Sequence, residues 1–246
     1  MFPIRDHNPS SQRPVVTWSL MVFNIFVFAL YFPMMSGPSV ASFFNNWAMI
    51  PANITAGSHY YTALTSMFLH GGILHLAGNM LFLWIFGDNV EDAMGHIPYL
   101  IFYLICGIGA GALHILSNPI SNMPMVGASG AISGVLGAYL LLYPKARVDV
   151  ALVLIIIVRM FTWPAWIVLC GWMIFQVFGG LLSASTGGGI AYWAHIGGFI
   201  VGIVLTSPLW LYLGGTAFWR KCDFRPPNEP TFATRVSTIP IVRRKQ

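Results

Sequence analysis

Four residues of this 246-residue chain have the types and settings to do chemistry: Ser129, His195, His75 and Asn79. Ser129 stands in Gly127-Ala128-Ser129-Gly130, with Pro124 upstream and an apolar run of small residues downstream, which places it in the first turn of a helix. Backbone N–H groups of a first turn have no intrahelical partner and sit at the positive end of the helix dipole, where they can hold a developing oxyanion. An isolated Gly-x-Ser-Gly reads first as a helix cap, so the serine needs a base beside it before it reads as a nucleophile. His195, about one turn into another apolar run in Ala194-His195-Ile196-Gly197-Gly198, could be that base. His75 and Asn79, four residues apart, project from one helix face and could donate to an oxyanion. His70 lies a little more than one turn earlier. Zinc is the rival reading of two histidines, but their i, i+5 spacing is poor for a helix and no acidic third ligand is near, so no metal and no cofactor are expected. His114 stands alone in a further run and reads as a packing residue.

The elements that must position these residues are membrane helices. The chain is 57% hydrophobic and 8% charged, with mean hydropathy +0.72, too much apolar surface for one water-soluble core. A spanning helix needs about 20 mainly apolar residues. Six such runs, bounded by polar, Pro or Gly punctuation, cover roughly 15 to 33, 72 to 87, 98 to 117, 129 to 143, 164 to 182 and 192 to 213. The expected fold is therefore all-α, a polytopic bundle of six transmembrane helices. The fourth run is short, so its start should lie below the membrane surface. The first run is read as a retained helix rather than a signal peptide, being long and late for a signal core. Val150 to Val158 is apolar but too short to cross and is expected to be an interfacial connector.

Charge sets the orientation. All twelve Lys and Arg fall before the first run, between the fourth and fifth, or after the sixth, while connectors 34 to 71, 118 to 128 and 183 to 191 hold no charged residue. The positive-inside rule then puts both termini in the cytoplasm. The basic residues form no patch with interleaved aromatics, which speaks against nucleic acid. The expected organisation is a cytoplasmic segment 1–14, a membrane domain 15–213 and a basic cytoplasmic tail 214–246. Cys106, Cys170 and Cys222 are far apart and suggest no disulfide framework. With this topology Ser129 and His195 share a shallow depth on the uncharged side. Gly198 and Gly202 follow His195 on one face, and Gly130 with Gly134, and Ser133 with Gly137, form small pairs that let two helices approach closely. No Asp or Glu lies on that side to orient His195, so a Ser-His dyad is expected rather than a triad.

Taken together, His70-x4-His75-x3-Asn79, Glu91-x3-Gly95, Gly127-Ala128-Ser129-Gly130 and Ala194-His195-x2-Gly198-x3-Gly202 resemble the rhomboid family of intramembrane serine proteases, over about residues 60 to 212. The resemblance implies Ser129 as nucleophile, His195 as general base, and His75, Asn79 and the Ser129 backbone N–H as the oxyanion site, with His70, Gly127, Gly130, Gly198 and Gly202 in support. It implies a serine endopeptidase embedded in lipid, cutting single-span membrane proteins in or near their transmembrane segments. Substrate would enter between the second and fifth helices, under an outer loop at Ser183 to Ala191. One departure is Tyr61-Thr62, where the family commonly has Trp-Arg. A non-catalytic membrane scaffold or chaperone for client helices is the alternative; a solute transporter lacks support from inverted repeats or interrupted helices. The short N-terminus has no Arg-rich amphipathic leader, which favours a bacterial inner membrane.

Overall fold

The computed structural model describes residues 2–37, 39–154, 157–183 and 191–227. The chain begins with strand β1 (Phe2–Asp6) and continues into helix α1 (Val15–Tyr31), which a short 3-10 turn extends to Met34. Short helices α2 (Ser39–Trp47), α3 (Pro51–Thr55) and α4 (Thr62–Thr65) lead to α5 (Ile73–Met94), α6 (His96–Ser117) and α7 (Ser129–Leu142). Strands β2 (Arg147–Leu154) and β3 (Ile157–Pro164) follow, then α8 (Ala165–Ser183), α9 (Tyr192–Tyr212) and the short α10 (Thr216–Lys221). Among the described residues, five helices are long and apolar enough to cross a bilayer: α1, α5, α6, α8 and α9. The fourth expected run, α7, has 14 residues and is surrounded by the others, with Gly130 through Tyr139 all buried.

Small residues bring α7 and α9 together. A methyl group at Gly198 would overlap the carbonyl oxygen of Gly130, and one at Gly202 would overlap that of Gly134. On the other side of α7, a methyl at Gly130 would come within 2.6 Å of Ala110 Cβ on α6. In lipid, where burying apolar surface gives little drive to associate, such close packing is what holds helices together. The buried tyrosines Tyr99, Tyr103 and Tyr139 fill the layer between α5, α6 and α7.

Two features lie outside the expected pattern. First, α5 runs to Met94 and so contains Asp88, Glu91 and Asp92, which the hydropathy pattern assigns to a connector. The carboxylates survive there because the N-terminal segment supplies their partners. The Glu91 carboxylate, 1% exposed, accepts from the N–H groups of Val16 and Thr17 at 2.8 Å each and from Thr17 Oγ1 at 2.7 Å. It thereby caps α1 from a neighbouring helix, satisfying donors that have no intrahelical acceptor. His96 Nδ1 lies 2.6 Å from the same carboxylate. Gly95, at φ +80°, forms the one-residue corner between α5 and α6, a conformation that suits glycine. Asp92 in turn accepts from Ser11 and Gln12.

Second, of the run Val150 to Val158, expected as an interfacial connector, the described residues 150–154 and 157–158 are extended and paired. They supply much of β2 and the start of β3 in a three-stranded antiparallel sheet of order β1-β2-β3. A run rich in Val and Ile, too short to span, satisfies its backbone by antiparallel strand pairing. Asp149 links the strands, accepting from Arg5 Nε at 2.8 Å and Thr162 Oγ1 at 2.6 Å, with His7 Nε2 at 2.8 Å. These partners hold its carboxyl well below the usual carboxylate range, to about 2, against the opposing effect of burial. Val148 and Val150 point the other way and are buried. The N-terminal segment is thus bound to the bundle. The outer loop expected at Ser183 to Ala191 and the basic tail beyond residue 227 fall largely outside the described residues.

Candidate functional site

Ser129 is the first residue of α7 and His195 the fourth of α9. Both are in first turns at the same end of the bundle, and the glycine contact between Gly130 and Gly198 lies directly beneath them. The result is a hydrogen bond of 2.8 Å between Ser129 Oγ and His195 Nε2. The entry to Ser129 is braced from the N-terminal half of the chain. Met49 and Met125 exchange a pair of backbone hydrogen bonds of 3.1 and 2.8 Å, and Gly127 N–H donates to Ser66 O at 2.9 Å. Gly127 has φ +127°, so the turn into α7 suits a glycine.

His75 and Asn79 rise from the first turns of α5. A Cβ at Gly127 would stand 2.8 Å from His75 Nε2 and 3.5 Å from Ser129 Oγ, so the room between ring and hydroxyl is what the missing side chain leaves. The N–H of Gly71 donates to His75 Nδ1 at 3.3 Å. In the neutral ring that assigns the remaining proton to Nε2, which faces the site as a donor. Asn79, 6% exposed, donates one Nδ2 hydrogen to the carbonyl of His75 at 3.1 Å, and its amide carries a second. His70 does not enter the site. It is fully buried, its backbone exchanging hydrogen bonds of 2.6 and 2.8 Å with the Tyr31 hydroxyl, and its ring centroid lies 5.2 Å from that of His75.

These groups line a cavity of about 520 Å³ that also takes in Leu74, Phe82, Met125, Trp172 and His114. His114, expected to be packing alone, therefore faces the cavity. Among the described residues, no cluster of three or more His, Cys, Asp or Glu side chains is placed to hold a metal.

One residue escaped the sequence reading. Gln176 on α8 is 4% exposed, and its Oε1 accepts from His195 Nδ1 at 2.7 Å. Trp172, one turn earlier on α8, packs its ring 5.8 Å from the imidazole at 34°. The signal was available: Gln176 is the one amide in the run Ala165 to Ser183, and a polar side chain inside a span is a functional candidate by default. A search for charged partners passes over it.

Such an arrangement has the parts for acyl transfer: a hydroxyl, a base in contact with it, and a side-chain donor beside a helix N-terminus. Residues 57–212 match the family model for the rhomboid domain. Rhomboid protease GluP of Bacillus subtilis (strain 168) is 41% identical over 88 residues, 36% of this chain and 17% of that protein. Rhomboid protein 1, mitochondrial, of Saccharomyces cerevisiae is 27% identical over 198 residues, 77% of this chain and 51% of that protein. Presenilin-associated rhomboid-like protein, mitochondrial, of Bos taurus is 29% identical over 206 residues, 80% of this chain and 49% of that protein. The chain spans about half or less of the length of these relatives. With the domain match covering well over half of the chain and the helices arranged as described, this integral membrane protein belongs to the rhomboid family.

Proposed function

We propose that the chain is an intramembrane serine endopeptidase that hydrolyses peptide bonds in or near the transmembrane segments of single-span membrane proteins. The observation that carries this reading is the 2.8 Å contact between Ser129 Oγ and His195 Nε2 inside a cavity also faced by His75 and Asn79. A serine and a histidine that met only as packing residues would not need an open cavity lined with donors. The name of the Bacillus relative, a protease, points the same way.

In this mechanism the substrate carbonyl comes to rest over Ser129 Oγ. His195 Nε2 takes the hydroxyl proton as the C–O bond forms. Negative charge moves to the carbonyl oxygen, where the Ser129 N–H, His75 Nε2–H and Asn79 Nδ2–H can donate to it. The His195 imidazolium then returns its proton to the leaving amine, and a water activated by the same nitrogen releases the acyl group. Leu74 and Phe82 of α5 and Trp172 of α8 form the apolar wall, and we place substrate entry between these two helices. A peptide carbonyl held in a helix cannot reach the serine, so the preferred substrates have transmembrane segments that unwind locally.

The proposed topology has both termini in the cytoplasm of a bacterial cell and the cavity opening outward, although two of the relatives named are mitochondrial. Cysteines introduced at Ser42 and Ser237 test it with an impermeant maleimide on intact cells. Labelling at Ser42 alone agrees; labelling at Ser237 alone inverts it. Activity is tested with a fluorescent transmembrane peptide in detergent or liposomes. Cleavage lost in Ser129→Ala supports the protease, whereas cleavage undiminished in that variant, or none by folded wild type, favours a non-catalytic scaffold.

A further inference from the structure

We propose that Gln176 is a positioning residue for the reaction, acting on His195 as a neutral third member of the catalytic unit. The proposal rests on the protease reading above for its kinetic consequences but not for its structural one.

The base must present a lone pair at Nε2. A neutral imidazole carries its single proton on either nitrogen, and only the form with the proton on Nδ1 can accept from Ser129. Gln176 Oε1, 2.7 Å from Nδ1, can only accept, so it selects that form. The reach of the ring is fixed at the same time. Gln176 and Trp172 are four residues apart on α8 and therefore on one face, one holding the Nδ1 edge and the other lying 5.8 Å from the ring centre. Neither α7 nor α9 supplies these contacts, so a third helix sets the orientation that the α7–α9 pairing leaves open. The ring would otherwise be free to turn about its side-chain torsions.

The chemistry of an amide suits this place. A carboxylate would stabilise the imidazolium more, but an ionised side chain inside a span is costly while His195 rests neutral. The amide keeps the acceptor without the charge. Burial at 4% exposed keeps water from competing for Nδ1.

The direct test is the ¹⁵N spectrum of His195 in the purified full chain, assigned by comparison with His195→Asn, at a pH where the ring is neutral. The expected wild-type result is one tautomer, with a protonated Nδ1 and an unprotonated Nε2. Protonated Nε2, or a mixture, overturns the proposal, and neither result depends on proteolysis. The paired variants are Gln176→Met, which keeps size and removes the acceptor, and Gln176→Glu, which keeps an acceptor. Gln176→Met should mix the tautomers and lower kcat by about 10- to 100-fold, the loss of one strong hydrogen bond, with KM little changed. Gln176→Glu should restore the single tautomer and most of the rate. A Met variant with the wild-type tautomer and kcat, or a Glu variant no better than Met, overturns the role. If folded wild type cleaves nothing yet shows the single tautomer, the positioning survives and the protease reading fails.

Discussion

Replacing Gly198 with alanine puts a methyl group where the backbone of α7 stands. The added carbon would lie 2.9 Å from the Gly130 carbonyl carbon and 3.3 Å from Ser133 Cβ, and would overlap the Gly130 carbonyl oxygen. Carbon pairs rest at about 3.5 to 4.0 Å, so α9 must retreat by at least about 0.6 Å on the carbonyl carbon alone. Gly198 is three residues from His195, so the retreat carries to the ring. Added to the present 2.8 Å, it takes Nε2 to about 3.4 Å or more from Ser129 Oγ, beyond a good hydrogen bond. Misplacement of roughly an ångström costs about 100-fold in rate. The overpacking itself costs about 1 to 3 kcal/mol, which lowers Tm but leaves a folded bundle. Turnover of a transmembrane peptide, measured beside thermal unfolding in the same detergent, checks this. Gly171→Ala is the control, since a methyl there meets nothing within 4 Å. A Gly198→Ala protein that is folded and turns over at the wild-type rate would refute the claim that glycine contact sets the distance between serine and histidine.

Three further outcomes follow from the contacts. His75→Ala and Asn79→Ala should each slow turnover with little change in KM, by up to about 100- to 1000-fold for a lost oxyanion donor; a double variant at the wild-type rate removes both from the site. Glu91→Ala strips the cap from α1 and leaves the part-buried N–H of Val16 and the buried N–H of Thr17 without an acceptor, so unfolding in detergent should be easier by on the order of 3 kcal/mol, and a change below about 1 kcal/mol contradicts the cap. The Asp6 carboxyl is pushed up to about 6 by burial, against hydrogen bonds from Asn8 and Tyr139. The folded chain therefore holds a proton that the unfolded chain releases above 3.8, and stability declines as pH rises from about 4 to about 6, by on the order of 2 kcal/mol. Asp6→Asn, which keeps an acceptor for Tyr139, should shrink that decline; Tm profiles from pH 4.5 to 7.5 that match wild type would show that Asp6 is not its source.

Membrane helices were legible because lipid imposes one rule on every span: a length of apolar chain with its backbone satisfied internally. The runs at 98 to 117, 164 to 182 and 192 to 213 accordingly match α6, α8 and α9 within two residues. Hydropathy fails where polar groups are satisfied by distant parts of the chain. Asp88, Glu91 and Asp92 look like a connector until Ser11, Val16 and Thr17 are seen to reach Glu91 and Asp92, a pairing about 75 residues apart that no local window contains. The sheet was missed for the same reason, since β1 pairs with β2 across some 145 residues. In the site, Ser129, His195, His75 and Asn79 were found because their types are costly in lipid. Gln176 is costly too, but a search for a carboxylate to orient His195 does not look for an amide, and the dyad expected on that ground has a third neighbour. Tyr61 and Thr62, where the family pair is absent, still tie down the segment before α5, through Tyr61 Oη to Asn46 O at 2.8 Å and Thr62 Oγ1 to His59 O at 2.6 Å.

The measurement that tests the central claim most directly needs no knowledge of the natural substrate. A serine hydroxyl reacts with a fluorophosphonate only when a neighbouring base takes its proton, so labelling reads the serine and its base together. In folded protein in detergent, the label should map to Ser129 alone, though other serines lie in more exposed loops, and His195→Ala should abolish it while Tm changes little. Labelling of a different serine, or labelling of Ser129 that persists without His195, would contradict the account.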